Sequence, residues 1–422
     1  MSKKIIYAVL VAFLLSSCLS DNRIVFYNSL DIERIDEAIV ITKNELASKI
    51  RLKQGMWPVF SYEGQLIPTQ ADDLDGDGKW DEITLMADFL PKEEKTLEVD
   101  FFHPSQYPKF TKRTNLRLGI LQKDGTYKEV DKYSAPRCDD GFEVIAQAEG
   151  VTWENDKMGF RVYFDCRNVK DLFGKLKPEM IADKAGTPEL GSYHVLADWG
   201  MDILHCGSSL GAGGLALFCN DSLIRLGSTE VYEYQKIIEG PLRSVFELRY
   251  QGWHIGNGRQ LEAVERISLY PGKYWFRSDV TVSGAPEESL IATGIVTTFL
   301  KKQPFEFNHS GFTCLGTHDR QSLNDDELGM AVLVSQEEAG KAGRTSDIDY
   351  FKLGFQTVEE KNFSNVISET CYLPQKFTNG KPARHYFFAA WGLERDDWKT
   401  AEGFQAYIKS EARKLSERIR IY

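Results

Sequence analysis

Apolar and polar residues alternate with a period of two along most of the chain. Leu97, Val99 and Phe101 fall on one face, as do Leu116, Leu118 and Ile120; Phe160, Val162 and Phe164 repeat the pattern, and so do Phe246, Leu248 and Tyr250. Successive side chains of a strand point to opposite faces, so this alternation predicts half-buried antiparallel strands. Turn-forming residues punctuate the runs at Gly76-Asp77-Gly78, Asp124-Gly125, Gly256-Asn257-Gly258, Pro271-Gly272 and Asn379-Gly380. A firm helical stripe occurs near the C-terminus. There Phe404, Tyr407, Ile408, Ala412 and Leu415 recur at helical spacing, Thr400 suits the N-cap, and Lys409, Arg413 and Lys414 suit the negative end of the helix dipole.

These elements predict an all-β fold in two units. An N-terminal β-sandwich-like unit covers about 24–133. A large antiparallel two-sheet sandwich of the mutarotase- or lyase-like supersandwich kind follows over 137–422 and closes with the C-terminal helix. No repeat of fixed period is visible, which argues against a propeller.

The segment before the first strand has a different pattern. Lys3-Lys4 precede an apolar run over 5–15 and then Leu15-Ser16-Ser17-Cys18. A basic head, a short apolar stretch and small residues are what a secretory signal requires, and the stretch is too short to span a bilayer. The Leu-Ser-Ser-Cys order resembles the bacterial lipobox, in which the cysteine is acylated; several chains on one residue anchor durably where one does not. The expectation is a lipoprotein anchored at Cys18, on the periplasmic face or the cell surface of a Gram-negative bacterium. A plain cleaved signal with Cys18 incidental is the alternative. No later apolar run is long enough for a second span.

Composition narrows the partners. Hydrophobic residues at 42% supply a core, so disorder is excluded. A net charge of -11 without a basic stripe argues against nucleic acid. An acidic small substrate stays open, because a local group of arginines can outvote the global charge. Besides Cys18 there are Cys138, Cys166, Cys206, Cys219, Cys314 and Cys371. An even number permits disulfides in an oxidising compartment, but the wide spacing favours buried thiols over a disulfide scaffold or a zinc site.

Three stretches carry candidate chemistry. Asp73-Leu74-Asp75-Gly76-Asp77-Gly78-Lys79-Trp80-Asp81 places oxygen ligands at alternate positions, with Gly78 for the sharp turn and the backbone carbonyl of Lys79 as a further ligand. Asp73, Asp75, Asp77, Lys79 and Asp81 are therefore candidate ligands for a structural Ca²⁺; Thr84 stands where an EF-hand has glutamate, and an acidic hairpin turn is the simpler alternative. No organic cofactor is implied.

The second stretch, Tyr193 to Asp202, crowds His194, Asp198, Trp199 and Asp202 ahead of a glycine-rich run ending at Gly214. His194 suits proton transfer near neutral pH, with Asp198 or Asp202 to orient it. The glycine run lacks a phosphate-loop ending and leads into a strand, so close sheet packing is its expected use. In the third stretch, Arg161 and Tyr163 share one strand face below Trp153 and Asn155, a grouping able to neutralise a carboxylate and take an adjacent proton. A solvated Arg–Asp face is the alternative. Trp153, Asn155, Trp199, Arg243, His309 and Trp391 are candidate substrate-binding residues, although tryptophan is more often packed in a core.

Asp139-Asp140, Trp153-Glu154-Asn155-Asp156, Phe160-Arg161-Val162-Tyr163, Tyr193-His194, Gly200-Met201-Asp202, the run from Gly207 to Gly214, Gly240-Pro241-Leu242-Arg243 and Ala390-Trp391 together resemble one family. It is a Bacteroidota family of exported proteins catalogued as domain of unknown function four thousand eight hundred and sixty-one, and the likeness spans nearly the whole mature chain. The resemblance implies a component of a polysaccharide-utilisation system that meets an acidic oligosaccharide. Its leading implication is β-elimination on uronate-containing oligosaccharides, by a lyase or dehydratase. The resemblance supplies no catalytic pattern; from the residues themselves, Arg161 with Asn155 would hold the carboxylate, Tyr163 or His194 would take the C5 proton, and His194, oriented by Asp198 or Asp202, or a bound water would protonate the leaving oxygen. A non-catalytic surface glycan-binding lipoprotein, and a glycoside hydrolase using Glu262 and Glu265, are the alternatives.

Overall fold

The computed structural model describes residues 22–135, 145–345 and 366–422, except 166, 228 and 257. Cys18, Cys138, Cys166 and the Asp139-Asp140 pair lie outside the described residues. The fold is all-β, with antiparallel strands throughout its named sheets and a C-terminal helix at Ala401–Ser416. Thr400 caps that helix by accepting from the Gly403 amide at 3.1 Å, and Phe404, Ile408 and Ala412 are its buried stripe. Among the described residues, the other α-helix is a single turn, Lys43–Ala47.

Two cores organise the molecule. The smaller lies between a five-stranded and a three-stranded sheet and holds Phe26, Ile41, Phe60, Leu85 and Leu97. The chain returns to it at the very end: Arg420–Ile421 pairs with Arg23–Tyr27, and Ile419 is buried there. The larger core is shared by a nine-stranded sheet and two five-stranded sheets. Leu116, Leu118 and Ile120, which the sequence pattern assigns to the first unit, belong to this larger core, because Thr114–Arg117 pairs with Gly150–Asn155.

Charged and amide side chains clasp the two parts together. Arg113 forks onto both oxygens of Asp36 at 2.7 Å and reaches Asp156 at 2.6 Å. Gln70 accepts from the amides of Leu242 and Arg243 at 2.7 and 3.0 Å, and donates to the Arg243 carbonyl at 3.0 Å. Gly240 is required there, since a Cβ would fall 2.3 Å from the Gln70 side chain.

The glycine-rich run serves sheet packing, as its sequel suggested. It leads into the strand Ala212–Cys219, and a Cβ at Gly211, whose φ is +61°, would meet the Lys170 carbonyl at 2.1 Å. That contact seats the strand next to Lys170–Lys175, which supports the candidate site.

Candidate functional site

The site is built on one five-stranded sheet. Met158–Tyr163 lies between Gly150–Asn155 and Lys170–Lys175, and Gly200–Asp202 extends the sheet beyond Lys170–Lys175. Antiparallel register sets Arg161 opposite Asp171. Strand parity places Tyr163 on the same face as Arg161.

Arg161 is the fully buried centre. Its guanidinium pairs with Asp171 and with Asp202, the latter at 2.9 Å, and donates to the Tyr163 hydroxyl at 2.6 Å and the Ala148 carbonyl at 3.2 Å. Tyr163 in turn donates to Asp171 at 2.9 Å. Two carboxylates therefore share one guanidinium, and the group carries surplus negative charge. His194 stands at its edge, with Nδ1 3.4 Å from Asp202 and 58% of the side chain exposed. Glu149, 3.6 Å from Arg161, is the other member that reaches solvent. Ala148 and Glu149 have successive φ values of 48° and 63°, an uncommon left-handed pair that costs energy and turns the Ala148 carbonyl onto Arg161.

Electrostatics divides the roles. Burial, and then the charge of Asp202, pushes the Asp171 carboxyl up to about 6. The hydrogen bond to Asp202 raises the His194 imidazole above its ordinary value, against a smaller effect of burial. Burial and then Asp171 push the Tyr163 phenol far up, so it stays protonated and donates. Burial also pushes up the Cys206 thiol beside the cluster, which removes it as a nucleophile.

The sequence-predicted set is thus partly assembled. Arg161, Tyr163, His194 and Asp202 come together, with Asp202 orienting His194; Asp198 instead projects into solvent beside Lys177 at 3.2 Å. Two expected roles are corrected. Arg161 is sealed from solvent and already matched by two carboxylates, so it does not receive a substrate carboxylate. The Tyr163 hydroxyl is engaged between Arg161 and Asp171, so it stands in the cluster as a donor to Asp171 and not as a free base.

The expected substrate-binding residues are placed elsewhere. Trp153 packs on Phe160 with ring centres 5.7 Å apart, and Trp391 is fully buried with its indole N–H on Asp326 at 2.6 Å. Trp199 is buried beside Phe173. None of these three offers a free face to a sugar ring. Asn155 braces a turn by donating to the carbonyls of Tyr270 and Lys273, each at 2.7 Å. Arg243 is a clasp onto Glu82 at 2.6 Å and Asp72 at 3.3 Å. His309 ends the edge strand Phe305–His309 of the nine-stranded sheet, away from the cluster.

Asp171, Glu149 and Tyr193 were missed as site residues. Only Tyr193 had a signal, through its place beside His194. Glu262 and Glu265 lie on opposite faces of one strand, the first exposed and the second buried against Lys170 at 2.9 Å, so they do not form a hydrolase pair.

In the acidic loop, Asp73, Asp75 and Asp81 converge, offering ligand oxygens within 4.8 Å of one another. Their other hydrogen bonds are to loop amides: Gly76 and Gly78 donate to Asp73, Asp77 to Asp75, and Leu74 to Asp81. Asp77 turns away and pairs with Lys79 Nζ at 2.6 Å, so its carboxylate is outside the converging set. The hard oxygen donors fit Ca²⁺ chemistry. The described cysteines, Cys206, Cys219, Cys314 and Cys371, are free thiols.

The fold and site define a two-core β protein with a buried carboxylate–guanidinium cluster that reaches solvent through a histidine. The chain belongs to the family described as a domain of unknown function, DUF4861, whose model matches residues 27–421. A relative from Formosa agariphila, called uncharacterized protein P7, is 24% identical over 97% of this chain and 96% of its own. Among solved structures, a glycosyl hydrolase family 38 protein from Enterococcus faecalis aligns with a TM-score of 0.48 at 8% identity, over 95% of this chain and 47% of its own. An alpha-mannosidase from Enterococcus faecalis aligns at 0.46 and 8%, over 95% and 45%. The chain spans about half the length of those two structures.

Proposed function

We propose that the chain acts on uronate-containing oligosaccharides by β-elimination, with His194 as the group that moves the proton. The observation carrying this reading is a solvent-facing imidazole backed, through Asp202, by the buried Arg161–Asp171–Tyr163 cluster. A base for this reaction needs an affinity for protons near the working pH, and an imidazole oriented by a carboxylate has it. His194 takes the proton at C5, the C5–H electron pair forms the C4=C5 double bond as the C4–O bond breaks with its pair on oxygen, and the imidazolium returns its proton to that leaving oxygen. Asp202 steadies the imidazolium formed in the first step. Trp153, Trp199 and Trp391 are buried, so these three do not form a sugar-stacking platform.

The test uses the chain from residue 22 onward, which contains both cores. Incubation with a panel of oligouronides should give an unsaturated uronate, read by its ultraviolet absorbance, and His194→Ala should lower kcat by about 10²-fold or more. Absence of that product across plant and algal oligouronides would overturn the proposal. Two structural proposals accompany it: a Ca²⁺ held by Asp73, Asp75 and Asp81, and attachment to the membrane through Cys18. In cells, Cys18→Ala should move the protein from the membrane to the soluble fraction, and unchanged fractionation would refute the anchor.

A further inference from the structure

A cavity of about 220 Å³ opens where the strand Arg34–Thr42, the nine-stranded sheet and the C-terminal helix meet. It shares no residue with the His194 cluster. One wall is aromatic. Trp275 is buried with its ring centre 5.3 Å from Tyr386, edge to face, and 6.2 Å from Tyr270. Neither tyrosine hydroxyl makes a hydrogen bond among the described residues, and both side chains line the space.

The opposite sides carry mixed charge with a small surplus of cations, in a chain whose net charge is -11. Glu37 and Glu411 are matched by Arg34, Lys273 and Lys414, at 2.7 Å for Arg34–Glu37 and 2.8 Å for Lys414–Glu411. Asp279 is shared by Arg277 at 2.9 Å and Arg384 at 2.6 Å. Arg418, exposed at the rim, has no ion-pair partner among the described residues, and Glu45 is the sole remaining acid lining the cavity. Four basic residues, Lys273, Arg277, Lys414 and Arg418, thus line the cavity with three acids, Glu37, Glu45 and Glu411.

An aromatic wall, two unengaged hydroxyls and surplus guanidinium charge select a ring that bears hydroxyls and a carboxylate. Pockets for drug-sized ligands begin near ~300 Å³, so this one has room for a single sugar ring. We infer that the cavity is a second binding site for one acidic sugar residue. Its carboxylate lies toward Arg418 and Arg277, and its hydroxyls face Tyr270 and Tyr386. The choice of a uronate rests on the proposed function; the location and charge of the site do not.

Calorimetric titration of the chain from residue 22 onward with glucuronate and galacturonate tests this, with glucose and inorganic sulfate as controls. Saturable uronate binding is expected, weakened about tenfold by Arg418→Ala and by added salt, and weakened also by Tyr386→Phe. Arg418 is exposed, so its removal leaves the fold intact, and an unchanged melt verifies that. No uronate binding, equal binding of glucose or of sulfate, or binding lost with His194→Ala but kept with Arg418→Ala overturns the inference. Uronate binding without elimination would reject the catalytic proposal alone; elimination without the Arg418 effect would reject this site alone.

Discussion

At the residue scale the site is a competition between carboxylates for one cation. Asp171 and Asp202 both need Arg161; burial and then the charge of Asp202 raise the proton affinity of Asp171, and the hydrogen bond to Asp202 raises that of His194. The sign of the pH effect follows. Both groups hold a proton more tightly folded than unfolded, so the contribution of each to stability falls as pH rises. For Asp171 the fall runs from its ordinary value of 3.8 to about 6. For His194 it begins near 6.5 and continues upward, damped by solvent because the ring is largely exposed. Urea melts between pH 4 and 8 should show this loss, and His194→Ala should flatten only its upper part. If that variant leaves the upper slope unchanged, the imidazole is not coupled to Asp202. Arg161 was recognisable in the sequence as an arginine among alternating apolar residues. Its partner was not, because the Arg161–Asp171 contact depends on cross-strand register, and a single strand does not record that.

At the element scale, the legible strands were those whose residues alternate in polarity, whether one face meets solvent or, as in Met158–Tyr163, both are buried. Glu94–Phe102 alternates between exposed and buried, and its apolar face was plain. Lys170–Lys175 is buried along its whole length, shows no alternation, and carries Asp171 in silence. The three tryptophans misled for a related reason: local crowding marks a loop or a core edge, and only the packing of facing sheets tells which. The C-terminal strand Arg420–Ile421 was equally hidden, being two residues long, yet it closes the first sheet and brings Ile419 into the smaller core. Deleting residues 419–422 should therefore cost about 2–4 kcal/mol, the worth of one or two buried aliphatic side chains. Denaturant unfolding would measure it, and a loss below ~0.5 kcal/mol would mean the strand is ornamental. The same deletion removes part of the acidic-sugar cavity, since Ile419 and Ile421 line it.

At the scale of the whole molecule, the question is whether the two cores respond as one body. Arg113 and Arg243 join them through part-buried or buried ion pairs, Gln70 through three hydrogen bonds, and the terminal strand through the chain itself. A cation taken up by Asp73, Asp75 and Asp81 would bind only the folded loop. Its effect on stability is then set by mass action, about 2.7 kcal/mol when free Ca²⁺ is a hundredfold above Kd. In an independently melting first unit, that gain would shift an early transition and leave a later one in place. With the clasps intact, calcium should raise the midpoint of a single cooperative transition, and Asp75→Asn should abolish the rise. Arg113→Ala should split the transition, leaving only its lower-temperature part sensitive to calcium. A melt indifferent to calcium and to chelator defeats the metal proposal. A calcium-sensitive melt that Arg113→Ala leaves single shows that the remaining contacts suffice to hold the two cores together.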